Sequence, residues 1–349
     1  SLSKNSILVH FVLNSARGTS LSPLVAVALA RVKTMSKEKI KTKASKEAMR
    51  WADDGQDGPV KQGPTEQGND FDVRMSEEPD GMLAAKKIVK VLKEKGVCLV
   101  QANAPMELVI AAHGEATSLW EDGEFKPPMR VHDDKSMLEA QLWDRALKDE
   151  EKVVWIKESD SKAVQLCGAL KMLGKNMGDF CGGLGPLLDQ ELGLQFDRLG
   201  QAMLSCYTGD KRYSLHIDNP HAGADEQGLP DNGMRLSCTY YINPHWSPDE
   251  ESCEAGLDVY LGDPCSTPSS VASSKKLPKL RIAPHADTLV LYLSERMAHQ
   301  VIATTSKERW FALQLWGLNG TAMQQMTKRL LAMRQASSYS KPDSDDDDD

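Results

Sequence analysis

The chain of 349 residues has no uninterrupted apolar run of about 18 residues or more, so it offers no membrane-spanning helix. It has no excess of positive charge. With 42 Lys plus Arg against 50 Asp plus Glu, its formal net charge of −8 argues against a dedicated nucleic-acid binder. It has no C-x-x-C pair, and its seven cysteines stand apart at 98, 167, 181, 206, 238, 253 and 265. An odd, scattered set of that kind supplies neither a structural zinc site nor a disulfide framework, and it fits a reducing compartment. No internal repeat is present. What is there is a hydrophobic fraction of 40%, enough for a sizeable core in one large domain or two small ones.

Residues 1–34 lack Asp and Glu and carry Ser, Arg and Lys among apolar residues. They read either as an organellar transit peptide or as a segment upstream of a true start at Met35. Residues 36–80 are rich in Lys, Glu, Asp, Gly and Gln and poor in large apolar residues except Trp51, so residues 1–80 as a whole read as a disordered leader. Residues 81–198 read as a helical support region. "GMLAAKKIVKVLKEKG" has helical spacing and a terminating Gly96, and "VCLVQ" follows as a strand. Asn103 is placed to cap a helix with Pro105 in its first turn. Another helix is expected over 135–148, then a strand in "KVVWIK", then a helical stretch broken by "CGGLGP" at 181–186.

From about residue 199 the texture changes. Eight short β-rich runs separated by turn residues extend to residue 319: "AMLSCY", "YSLHI", "RLSCTYYIN", "GLDVYL", "KLRIA", "DTLVLYLS", "HQVIAT" and "RWFALQLW". Eight such runs suit a jelly roll, giving an all-β core on α/β support helices and an α+β protein overall. The Ser/Pro/Lys-rich stretch from Gly262 to Lys279 reads as a surface insertion, 320–336 as a terminal helix, and 337–349 as a solvated acidic tail.

His216 and Asp218 stand two apart, so on a strand they point to one side. One H-x-D in a chain with eight histidines is weak evidence by itself. His10, His113, His132, His221, His245 and His285 fall in the leader, a helix, loops or turns. His299 differs, because it opens a strand directly after a buried strand and a turn. Two histidines and one carboxylate on a β scaffold, with no thiolate beside them, match the facial triad that leaves positions open on non-haem Fe(II). Arg309 leads the strand face Arg309, Phe311, Leu313, Leu315. A guanidinium there has a reason to exist if it meets a buried carboxylate; otherwise it is an edge-strand Arg in solvent. Tyr241 could add a phenol donor, and as a lone Tyr it reads as core.

Taken together, "MLSCYTG", "YSLHIDNP", "TYYIN", "LVLYLSERMAHQV" and "RWFALQLW" resemble, in order, the 2-oxoglutarate- and Fe(II)-dependent prolyl 4-hydroxylases. The likeness is to the oxygen-sensing branch that acts on hypoxia-inducible factor or an F-box adaptor, and it covers roughly residues 83 to 318. The resemblance implies His216, Asp218 and His299 as iron ligands, Arg309 as partner of the distal carboxylate of 2-oxoglutarate with Tyr241 assisting, and Tyr207 lining the co-substrate pocket. It places Tyr213 and Arg235 near the substrate mouth and Trp316 near the pocket for the target proline. It also implies Fe(II), with 2-oxoglutarate and O2 as co-substrates, ascorbate as a helper, a protein substrate bearing that proline, a monomer, and a cytoplasmic or nuclear setting unless residues 1–34 are a transit peptide. There are departures. The spacings from His299 to Arg309 and from Arg309 to Trp316 are each about one residue longer than the pattern, which a β-bulge would absorb. The zinc finger of the animal oxygen sensor is missing. Two other readings stand beside this one: a related oxygenase acting on another residue or a small molecule, and a jelly-roll adaptor without activity. Asp218 counts against a halogenase, which needs that ligand position for halide.

Overall fold

The computed structural model describes residues 58–62, 69–78, 80–126, 152–156, 161–209, 212–220, 231–246, 255–268, 271–302 and 309–339. The expected helix at 135–148, the acidic tail, Cys253, His10, His132 and His221 lie outside these residues.

All eight β-rich runs are strands, and five further strands join them. In chain order they are β1 (Val60–Gln62), β2 (Val73–Arg74), β3 (Val97–Gln101), β4 (Lys152–Trp155), β5 (Arg198–Leu199), β6 (Met203–Thr208), β7 (Tyr213–His216), β8 (Met234–Tyr241), β9 (Gly256–Tyr260), β10 (Lys279–Ile282), β11 (Thr288–Leu293), β12 (His299–Ile302) and β13 (Arg309–Leu318). They form two sheets. The smaller runs β1-β10-β9-β12-β7. The larger runs β2-β3-β11-β8-β13-β6-β4, with β5 also paired to β13. Apart from the parallel pairings of β1 and β2, neighbours are antiparallel. The two sheets enclose the core, as in a jelly roll.

The long helices between residues 81 and 192 cover the outer face of the large sheet. Helix α1 (Gly81–Lys95) starts where the Asp80 carboxylate accepts the Met82 amide and ends at Gly96, whose φ of 77° needs a glycine. It buries Ala84, Ala85, Ile88, Val89 and Leu92. Helix α2 (Met106–Glu121) begins later than the sequence suggested. Asn103 does not cap it. Asn103 sits at φ 56°, and its amide and that of Ala104 donate to the Asp287 carboxylate. Helix α3 (Gly168–Leu192) is unbroken through "CGGLGP", contrary to the expected interruption. Its glycines are packing sites. A Cβ on Gly185 would come within 3.2 Å of the Phe196 ring, and one on Gly174 within 3.1 Å of Ala202. The close approach to the sheet that these residues allow outweighs their weak helix propensity. Helix α4 (Gly320–Tyr339) closes the described chain, three residues beyond the expected end.

The stretch before residue 80 also departs from expectation. Asn69 is buried; its amide donates to the Ala283 carbonyl and Thr288 Oγ1, and its oxygen accepts from the Ala283 amide. Val73 and Met75 are buried, and β2 extends the large sheet beside β3. Polar composition hid a segment whose few apolar residues all face the core. The Ser/Pro/Lys-rich stretch is likewise tied in, by Gly58 N to Lys275 O and Lys279 N to Pro59 O. The described cysteines are free thiols, with Cys181 Sγ and Cys238 Sγ 3.0 Å apart. No helix among the described residues is long and apolar enough to cross a membrane.

The role of residues 69–78 can be checked directly. Asn69→Ala strands a buried amide and a buried carbonyl, so chemical denaturation should show a loss of about 2–4 kcal/mol. A loss below about 0.5 kcal/mol would mean that this segment is not part of the cooperative domain.

Candidate metal centre

The centre forms where the two sheets face each other. His299 opens β12 and His216 closes β7, and the two are direct cross-strand partners. Asp218 follows β7 in the same loop mouth. One ligand atom from each of His216, Asp218 and His299 lies within 4.8 Å of the others. Asp218 Oδ1 is 3.2 Å from His216 Nε2 and 3.6 Å from His299 Nε2, and the imidazole centroids are 4.1 Å apart.

The backbone selects which nitrogen each ring offers. His216 Nδ1 lies 2.8 Å from the Ser214 carbonyl and His299 Nδ1 lies 3.1 Å from the Met297 carbonyl. A carbonyl only accepts, so Nδ1 carries the proton in each ring and the Nε2 lone pair points to the centre. The Tyr292 hydroxyl lies 3.1 Å from Nε2 of His299.

Asp218 is divided between the sheets. Its Oδ1 faces the histidines. Its Oδ2 accepts from Ser237 Oγ at 2.5 Å, Trp316 Nε1 at 3.2 Å and Tyr292 OH at 3.5 Å, all on the large sheet. Ser237 Oγ also contacts Ser294 Oγ at 2.7 Å. The loop is pinned as well, since Asn232 Nδ2 donates to the Asp218 carbonyl and the buried Asn219 donates to Asp231 and the Met234 carbonyl. Burial raises the Asp218 pKa, but His299, His216 and Ser237 more than offset it and hold the carboxyl well below its usual range. Burial and the neighbouring His216 pull His299 down to about 4, against the opposing pull of Asp218 and the Met297 carbonyl. The centre is therefore an anionic oxygen beside two imidazoles that each turn Nε2 toward it. That donor set fits a divalent metal with hard-to-borderline character and leaves coordination positions for other ligands.

The other predicted residues divide by strand face. Side chains alternate along a strand. On β13, Trp316 reaches Asp218, and Trp310 lies against Tyr207 (ring centroids 4.4 Å, stacked) and Tyr241 (5.9 Å, edge-on). Even-numbered residues of β13 thus face the interior between the sheets. Odd-numbered ones face the helices, as Phe311 does against His113 and Phe125. Arg309 belongs with Phe311. Its guanidinium lies over the Trp120 ring at 5.7 Å and lines a cleft of about 350 Å³ with His113, Thr117, His245 and Trp246, on the far side of the sheet from the metal centre. No bulge brings it round, because pairing with β6 and β8 is regular from Arg309 to Gly317. The structure therefore brings together His216, Asp218, His299 and Trp316, puts Tyr207 and Tyr241 on the same inner face, and does not bring Arg309 there. Tyr213 stands at the edge, 4.6 Å from the His216 ring. Arg235 is held by Asp231 at 2.6 Å and Glu295 at 3.0 Å.

Four residues on the inner face escaped the sequence reading: Ser237, Tyr292, Ser205 and Trp310. Parity was the available signal. Ser237 and Tyr241 are four apart, so are Tyr292 and Thr288, and Trp310 and Trp316 are six apart. Ser205 Oγ and Trp310 Nε1 are buried with no hydrogen-bond partner. An unmet buried group of that kind costs on the order of 1–3 kcal/mol, so each calls for a functional account.

Residues 202–316 match the family model for the 2OG-Fe(II) oxygenase superfamily. Among solved structures, the chain is similar to a Trichoplax adhaerens prolyl hydroxylase in complex with a peptide fragment of the hypoxia inducible factor oxygen degradation domain. That match has 20% identity and a TM-score of 0.50, and covers 68% of this chain and 90% of that one. It is also similar to a Pseudomonas putida prolyl-4-hydroxylase (16% identity, TM-score 0.46, 67% and 98% covered). A further match is a non-haem, α-ketoglutarate-dependent carbocyclase of nogalamycin biosynthesis (12%, TM-score 0.45, 67% and 83% covered). No curated protein sequence matches the chain.

Metal binding tests the centre without turnover. Mn(II) at a hundredfold excess over its Kd should stabilise the fold by about 2.7 kcal/mol in a thermal melt. His299→Ala should abolish that gain. Trp316→Phe, which removes one donor to Asp218, should weaken metal affinity by about 10- to 100-fold. A His299→Ala protein that melts with the same metal-dependent shift as wild type would show that the metal sits elsewhere.

Proposed function

We propose that this 2OG-Fe(II) oxygenase domain hydroxylates C4 of a proline in a protein substrate, with decarboxylation of 2-oxoglutarate to succinate. The observation that carries this reading is the divided Asp218 carboxylate. One oxygen is fixed by three donors of the large sheet and the other is offered to two imidazoles of the small sheet. A carboxylate held this way would offer a bound Fe(II) its Oδ1, and with His216 and His299 it would leave positions for co-substrate and O2.

Fe(II), when bound, supplies the activation of O2. The chain supplies the rest. His216 and His299 hold their protons on Nδ1 and present Nε2. Ser237 and Trp316 fix the carboxylate. Trp310, Tyr207 and Tyr241 give the interior an aromatic lining that excludes water, which strengthens every polar contact made there. Tyr213 and Arg235 lie toward the loop mouth after Asp218, and we assign them to the substrate side. The proline assignment rests on the sequence resemblance and on the substrate class of the Trichoplax enzyme of like fold. The same reading takes in ascorbate as reductant and a rate that follows O2 concentration, the requirement for oxygen sensing.

The assay is succinate release by the Fe(II)-loaded chain with and without proline-containing peptides, with mass spectrometry of the peptide. The expected result is peptide-dependent succinate and one added oxygen on proline, both lost in His216→Ala. Succinate formed without any peptide oxidation would replace the proline reading with an oxygenase of another substrate, and no succinate under any condition would leave the adaptor reading.

A further inference from the structure

On the far side of the large sheet from the metal centre, we infer that the cleft of about 350 Å³ beside Arg309 is a second binding site, and that its ligand is a small phosphate monoester with an apolar body. The site shares no residue with the metal centre and does not depend on the proposed reaction.

The first support is the way the cleft is built. Helix α2 contributes His113 and Thr117, which stand one turn apart on one face of the helix. The segment after β8 contributes His245 and Trp246, and β13 contributes Arg309 and Phe311 from its outer face. Asn243 ties that segment to β13, donating to the Phe311 carbonyl at 3.0 Å and accepting from the Phe311 amide at 2.7 Å. Pairing brings a further cation close. Phe311 is beside Cys206 of β6, which is beside Lys152 of β4. Lys152 and Arg309 therefore converge on one indole, with Lys152 Nζ 5.1 Å and Arg309 Cζ 5.7 Å from the centroid of the Trp120 ring.

The second support is charge. The chain as a whole is acidic, at −8, yet Arg309, Lys152, His113 and His245 gather here, and among the described residues none of them has a carboxylate partner. Arg309 lies over Trp120, a contact that uses the flat face of the guanidinium and leaves its N–H edge for a bidentate acceptor. His113 donates its Nδ1 proton to the Ile242 carbonyl at 3.0 Å, so Nε2 is the ring atom left for a ligand. Burial lowers the pKa of His113 against the pull of the Ile242 carbonyl, and both side-chain charges that bear on it, His245 and Arg309, are positive. A bound anion reverses that balance, because an opposite charge close by favours the protonated ring.

The ligand class follows from this arrangement. Several groups of positive character around one space are matched by a ligand with more than one negative charge and several acceptor oxygens. A phosphate monoester brings about 1.5 to 2 negative charges near neutral pH and three terminal oxygens, more than one carboxylate supplies. Trp246 and Phe311 give the same cleft apolar walls, which suit a hydrocarbon body attached to the phosphate. The cleft has the size of a small-molecule pocket, for which roughly 300–1,000 Å³ is usual.

The test is calorimetric titration of the full, metal-free chain near neutral pH in a buffer without phosphate, with phenyl phosphate, inorganic phosphate and benzoate as probes. Phenyl phosphate should saturate one site and bind more tightly than inorganic phosphate, and benzoate should bind about tenfold or more weakly than phenyl phosphate. Arg309→Ala should weaken phenyl phosphate about tenfold or more, as expected for loss of a hydrogen bond to a charged group. Arg309→Lys should restore part of that loss, since an ammonium keeps the charge but not the fork; it also carries the comparison if thermal melts show that the alanine variant does not fold. His299→Ala should leave the affinity within about twofold. Absence of saturable binding to the wild-type chain, unchanged affinity in the Arg309 variants, or a loss confined to His299→Ala overturns the second site. Benzoate bound as tightly as phenyl phosphate overturns the phosphate assignment. Each of these results leaves the metal centre and the proposed reaction as they stand.

Discussion

The site depends on one carboxylate that belongs to both sheets. Asp218 follows a strand of the small sheet, yet its Oδ2 is fixed by Ser237, Tyr292 and Trp316 from three strands of the large one. Those contacts set the direction of Oδ1, and with it the point at which the two histidines converge. Burial would raise the carboxyl's pKa, and the surrounding donors and imidazoles overcome that. Without packing of sheet on sheet, Asp218 would be a solvated loop residue.

The histidines are organised more cheaply. His216 and His299 are cross-strand partners in one sheet, and each turns its Nδ1 to a carbonyl two residues back in its own chain. Local backbone therefore fixes the tautomer, and sheet pairing fixes the separation. What the pairing cannot supply is the third ligand, the dry interior, or the contact of Tyr292 with His299. Those come from the facing sheet, which is why the jelly roll as a whole, and not the H-x-D segment, makes the centre.

Strand parity governs the rest. The odd step of seven positions from Arg309 to Trp316 puts them on opposite faces of any regular strand, and β13 is regular between them. The guanidinium thus lies against Trp120 and the helices, and an indole stands among Tyr207 and Tyr241. The face shared by Arg309, Phe311, Leu313 and Leu315 was read correctly as a set. Which side of the sheet that set covers was not in the spacing. The break expected in helix α3 failed for a related reason, because glycines that weaken an isolated helix are what let this one lie close to Phe196 and Ala202.

By itself the sequence determined the eight strands of the core, the supporting helix that ends at Gly96, and His216, Asp218 and His299 as the residues able to share a metal, since alternation and ligand type are local properties written residue by residue. Only the tertiary structure decided that residues 69–78 join the large sheet, that Ser237, Tyr292 and Trp316 hold Asp218, and that Trp310 rather than Arg309 faces the interior. These are relations between strands distant in the chain, fixed by pairing register and by which face each sheet turns to the other, and a one-dimensional pattern leaves both open.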